Sequence, residues 1–141
     1  MKIELSTSPS QAQLNAISQG IANFNAKYLS NENAHNTGLQ CVITVQDENN
    51  KIIGGLQACV IWSYCILELL WLDDEIRGRG IGTKLMLQLE AFAKKHDLYQ
   101  IRTETLDFQA KPFYEKLGYR VYGELENTPP GHISYFLVKQ L

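Results

Sequence analysis

Arg77-Gly78-Arg79-Gly80-Ile81-Gly82 joins an apolar run, Ile66–Leu72, to a helical pattern that begins at Thr83. The run is almost continuously apolar, as in a strand covered on both faces. The pattern places Leu85, Met86, Leu89, Phe92 and Ala93 on one helix face, with Lys94, Lys95 and His96 at the negative end of a helix spanning Thr83–His96. Between them, the glycines let backbone approach a ligand closely. The helix start leaves N–H groups without internal acceptors, and together with the helix dipole these form an anion site. Arg77 and Arg79 add positive charge, so a pyrophosphate suits this turn; a Gly-rich turn that only links strand to helix is the plain alternative. A dinucleotide fingerprint would need Gly where Thr83 stands, and a P-loop would need Gly-Lys-Ser/Thr where the order is Gly82-Thr83-Lys84.

Working outward, β-branched Cys41–Gln46, the turn Asp47–Asn50 and Lys51–Ile61 read as a hairpin. Gly54 and Gly55 inside its second arm mark a bulge or a close backbone approach. Gln100–Thr105 reads as a strand and Gln109–Leu117 as a short helix, with Pro112 in its first turn and Gly118 past its end. Arg120–Leu125 and Ile133–Lys139 close the chain as strands, joined by a loop with Pro129, Pro130 and Gly131. Toward the N-terminus, Lys2–Leu5 reads as a short strand, and Ser8, Pro9 and Gln11 as a helix start. Leu14, Ile17, Ile21 and Phe24 then form a stripe expected to be buried, and Ser30–Gly38, with His35, reads as a polar loop. The expectation is one α/β (α+β) domain over residues 1–141: a mixed sheet flanked by helices.

At 45% hydrophobic and 20% charged residues, the 141-residue chain can build a core, and its net charge of −2 argues against bulk nucleic-acid binding. Cys41, Cys59 and Cys65 are odd in number and lie in apolar surroundings, as buried thiols of a reducing compartment do. No apolar stretch reaches the length of a membrane span, and the N-terminus lacks a signal-peptide core. A cytoplasmic protein with neither a membrane nor a nucleic-acid partner is expected.

Two matches carry a family resemblance. Arg77–Gly82 resembles the R-x-x-G-x-G turn, and Ala110-Lys111-Pro112-Phe113-Tyr114-Glu115-Lys116-Leu117-Gly118-Tyr119 the A-x-x-F-Y-x-x-x-G-F/Y signature, of the GNAT superfamily of acetyl-CoA-dependent N-acyltransferases. The resemblance implies a mostly antiparallel seven-stranded sheet that splays between its fourth and fifth strands, here Ile66–Leu72 and Gln100–Thr105. It implies acetyl-CoA as acyl donor, its pantetheine on the backbone of Leu70, Trp71 and Leu72 and its pyrophosphate on Arg77, Gly78, Arg79, Gly80, Ile81, Gly82 and Thr83, with Phe113 alongside. One departure stands out. Asp107 occupies a position where the family often has Asn, and an ionised carboxylate has no proton to donate.

The resemblance makes Tyr114 the general acid for the leaving sulfur; otherwise it is a core aromatic. Glu68, the sole charge within Ile66–Leu72, is a candidate base whose pKa desolvation would raise, and Glu104 could serve equally; an ion pair is the plain reading of each. Trp62, Tyr64, Trp71 and His132 are candidate acceptor contacts, against core or loop roles. No Cys-His-Asp pattern or metal cluster is visible, so direct amine attack in a ternary complex is expected. The acceptor class is a small-molecule amine or a peptide/protein amine, and the superfamily often forms homodimers. A non-catalytic acyl-CoA sensor is the alternative.

Overall fold

The computed structural model describes residues 1–29 and 37–141. Most of the expected Ser30–Gly38 loop, His35 included, lies outside the described residues. The chain divides into two compact units, Met1–Asn33 and Ala34–Leu141.

Among its described residues the first unit holds one helix, α1 (Gln11–Asn25). Its cap is Ser10, not Ser8. The Ser10 hydroxyl accepts from the Gln13 N–H at 3.2 Å, and the Gln13 side chain accepts from the Ser10 N–H at 2.7 Å. The same Ser-x-x-Gln spacing recurs two residues after the expected one, and this later copy closes the capping box. Lys2–Leu5 forms no strand, and the described residues of this unit offer no second strand to complete a ladder. The stripe Leu14, Ile17, Ile21 and Phe24 is exposed rather than buried. A lone helix has no second layer of its own to bury a stripe against.

The second unit is built on a six-stranded sheet in the order β1-β2-β3-β4-β6-β5, one strand fewer than expected. The strands are β1 (Gln40–Gln46), β2 (Ile52–Ile61), β3 (Tyr64–Leu72), β4 (Gln100–Leu106), β5 (Arg120–Glu126) and β6 (Ile133–Gln140). Helix α2 (Ile81–Lys95) joins β3 to β4, and α3 (Lys111–Lys116) joins β4 to β5. All neighbours are antiparallel except β3 and β4, which run parallel. That pairing follows from the helical crossover, because a parallel neighbour cannot be reached by a tight turn.

The core lies between the sheet and α2. Met86, Leu89 and Ala93 are fully buried against Ala58, Cys65, Ile101 and Leu137. Each large apolar side chain buried here contributes about 1.5–3 kcal/mol. Gly55 answers the expected close approach: a Cβ there would lie 2.4 Å from the Ile43 carbonyl oxygen, which belongs to β1. Glu90 of α2 is buried and ion-paired to Lys139 Nζ of β6 at 2.7 Å. The Tyr119 hydroxyl is buried without a hydrogen-bond partner among the described residues.

The β3–β4 seam opens partway along. The strands pair from Tyr64↔Gln100 to Leu67↔Thr103 and no further. Beyond that point β3 stays on β2 as far as Leu72↔Gly54, while β4 stays on β6 as far as Leu106↔Ser134. A bulge lies at the fork: Ala58 pairs with Leu67 and Gln57 with Leu69, so Glu68 has no partner across the ladder. An extra residue bends its strand and raises the local twist. The Thr103 hydroxyl donates to the Leu67 carbonyl at 3.2 Å and pins the vertex.

Candidate active site

A cleft of about 690 Å³ fills the fork. Its walls are the free ends of β3 and β4, its floor includes Phe113 and Tyr114 of α3, and its far end is the turn into α2. Thirteen of the fourteen cofactor and catalytic residues expected from the sequence line this one space; the exception is Arg79, an exposed residue of the turn.

The turn leaves main-chain donors at a helix start, the geometry expected of an anion site. Gly78 and Gly80 have φ of 72° and 75°, a left-handed backbone that L side chains rarely adopt. Gly80 is the N-cap of α2 and no side chain caps it. The first helical bond runs from the Lys84 N–H to the Gly80 carbonyl at 3.1 Å, so the N–H groups of Ile81, Gly82 and Thr83 precede it at the positive end of the dipole. A Cβ on Gly82 would sit 3.3 Å from Phe113 Cζ, which explains a third glycine where helix and cleft floor meet. The Arg77 side chain folds back: Nε donates to the Leu72 carbonyl at 2.9 Å, and its guanidinium pairs with Asp74 at 2.8 Å. Arg77 therefore braces the strand end, and the Leu72 carbonyl already has a donor.

Each wall of the fork carries one carboxylate. Glu68 on β3 is exposed and accepts from Gln57 Nε2 at 2.9 Å. The burial expected of it is absent, because the bulge turns it out of the apolar run. Glu104 on β4 is also exposed and accepts from the buried Ser134 hydroxyl. Leu69 and Trp71 are exposed as well, so β3 is not covered on both faces as its composition suggested.

Tyr114 is 5% exposed, with its ring edge-on to Phe113 at 5.1 Å and to Tyr119 at 5.7 Å. Burial pushes its phenol above the ordinary value, and a hydrogen bond with Thr103 partly offsets this. Cys65 is fully buried, and burial pushes its thiol up to about 12, with Cys41, Cys59 and Glu68 acting in the same direction.

Three expected acceptor contacts stand elsewhere. Trp62 and Tyr64 face each other edge-on at the hairpin, 6.5 Å apart, with the Arg102 guanidinium 3.8 Å over the Tyr64 ring. They sit at the start of β3, whereas the cleft lies along its other end. His132 is outside the cleft lining and hydrogen-bonds to Asp107 at 3.0 Å. The expectations missed Leu69, Thr105, Phe108 and Gln109. Gln109 Oε1 accepts from the Leu106 N–H at 2.9 Å and shapes the corner into α3. Ala110 opens the quoted signature, but nothing in the sequence marked Phe108.

The sequence model of the acetyltransferase (GNAT) family matches residues 13–119. Blasticidin-S acetyltransferase of Streptomyces morookaense is 39% identical over 95 residues, covering 67% of this chain and 70% of that protein. The crystal structure of an acetyltransferase from Bacillus cereus superposes with a TM-score of 0.84 at 28% identity, over 98% of each chain. An aminoglycoside 6'-N-acetyltransferase complexed with coenzyme A shares the fold, with a TM-score of 0.64 at 18% identity over 99% of this chain and 97% of that one.

Proposed function

The chain belongs to the GNAT acetyltransferase family, and from that premise we propose that it moves the acetyl group of acetyl-CoA to a primary amine of a small molecule by direct attack in a ternary complex. The observation that carries this reading is the fork itself. Glycine-turn N–H groups stand at one end of a single cleft, carboxylates stand on both arms, and a buried phenol stands between them. Bound acetyl-CoA supplies an activated thioester.

The residues divide the remaining work. The N–H groups from Gly78 to Thr83 hold the diphosphate, and the free edge of β3 at Leu70 and Trp71 receives the pantetheine amides as an added strand would. Positioning of this kind can supply on the order of 7–11 kcal/mol of the barrier. Glu68 and Glu104 are the carboxylates available to take the amine proton, directly or through water. Tyr114 keeps its proton at neutral pH, as a general acid must, and gives it to the departing sulfur. Cys65 is buried and holds its proton too firmly to serve as a nucleophile, which favours direct attack over an acyl-enzyme.

Blasticidin S, named by the 39%-identical relative, is the first acceptor to try, followed by a panel of small primary amines. Release of free CoA thiol that depends on the amine, with intersecting double-reciprocal lines, is the expected result. Parallel lines would replace the ternary complex by an acyl-enzyme. Binding of acetyl-CoA with no turnover on any amine would favour a sensor.

A further inference from the structure

Asp107 replaces a donor with an acceptor, and the structure shows what the carboxylate does instead. Oδ2 accepts from the Ile133 N–H at 3.2 Å, Oδ1 accepts from His132 Nδ1 at 3.0 Å, and the Asp107 N–H donates to the Ile133 carbonyl at 2.9 Å. A carboxylate only accepts, so the proton of this pair is on Nδ1. Three bonds thus fasten the end of β4 to the start of β6. His132 is itself held by a tight loop: its N–H donates to the Pro129 carbonyl at 2.9 Å, and its carbonyl accepts from the Thr128 N–H at 3.1 Å. The next residue after the clasp is Phe108. Its ring meets the His132 ring edge-on at 4.7 Å, and it lines the cleft while remaining 61% exposed. An aromatic side chain so exposed has little packing of its own to fix it, and the ring of His132, which is not part of the cleft lining, packs against it.

We propose that His132 is a positioning residue for the acetyl-CoA cleft, acting through Asp107 and the Phe108 ring to fix the wall the cofactor meets. The assignment rests on the cleft binding acetyl-CoA, as proposed above. It explains why Asp is suited to position 107 in this chain: the carboxylate serves the clasp and leaves the ligand contact to the ring beside it.

The test is calorimetric titration of acetyl-CoA into the whole protein, which needs no knowledge of the acceptor. His132→Ala and Phe108→Ala are each expected to weaken binding about tenfold, and the double variant no more than either alone, because one acts through the other. In turnover the loss falls on KM for acetyl-CoA, with kcat little changed. His132→Asn retains a donor near Nδ1 and recovers part of the affinity. Urea midpoints identify any variant whose fold has changed. Unaltered affinity in His132→Ala, full additivity with Phe108→Ala, or His132→Asn as weak as His132→Ala would overturn the assignment alone. A wild-type protein that binds no acetyl-CoA would remove the functional reading beneath it as well.

Discussion

Tyr114 and Cys65 are both buried groups that hold their protons, and the consequences differ. For Tyr114 the raised value keeps the phenol intact through neutral pH, so any loss of acid catalysis on its account begins only above the ordinary tyrosine value of 10.0. Tyr114→Phe keeps the ring contacts with Phe113 and Tyr119 and removes only the hydroxyl. Its kcat is expected to fall by about 10²-fold, impaired rather than abolished, because positioning by the cleft survives. Steady-state thiol release checks this; an unchanged kcat would leave Tyr114 a core aromatic. For Cys65, the value of about 12 against an ordinary 9.0 means that the folded state keeps a proton the unfolded chain loses. Stability from this source is complete below pH 9 and is lost as pH rises toward 12, with a slope of up to about 1.4 kcal/mol per pH unit. Urea midpoints measured from pH 8 upward should fall accordingly, and Cys65→Ala should flatten the decline. At pH 8 an alkylating reagent should leave Cys65 unmodified until the protein unfolds.

Among the elements, the turn into α2 is the one on which the proposed function depends most. Gly80 combines a left-handed φ of 75° with open space around the missing Cβ. Gly80→Ala should therefore cost about 1–2 kcal/mol of stability through backbone strain alone. It should also weaken acetyl-CoA binding about tenfold or more, because the new methyl projects where the backbone approaches the ligand. Urea denaturation and calorimetry separate the two effects. The turn was legible in the sequence because its signal is local: glycines and arginines at fixed spacing between an apolar run and a helical stripe. The fork was legible only through a resemblance. Its cause is the bulge at Glu68, and a strand of seven residues reads the same whether or not one of them lacks a partner. For the same reason Glu68 was expected to be buried and is exposed.

At the scale of the molecule, the order of elements from β1 to β6 was readable from periodicity and turn residues, with boundaries off by a residue or two at most elements. Partnership across the chain was not readable. Lys2–Leu5 had the composition of a strand but nothing to pair with among the described residues of its unit, and the stripe of α1 carries no record of what would cover it. The Asp107–His132 clasp joins residues 25 positions apart, beyond the reach of any local pattern. Trp62 and Tyr64 looked like pocket residues because they are aromatic and close in sequence to the cleft strand. A strand rises about 3.3 Å per residue, so the start of β3 and the end that lines the cleft are about 20 Å or more apart along the strand.

The structure of the protein with coenzyme A bound tests the central claim most directly. The diphosphate is expected on the main-chain N–H groups from Gly78 to Thr83, with the pantetheine along Leu70 and Trp71 and the sulfur within hydrogen-bond reach of the Tyr114 hydroxyl. Coenzyme A seated away from the β3–β4 fork, or a fork that closes into a continuous ladder around an excluded ligand, would contradict the account.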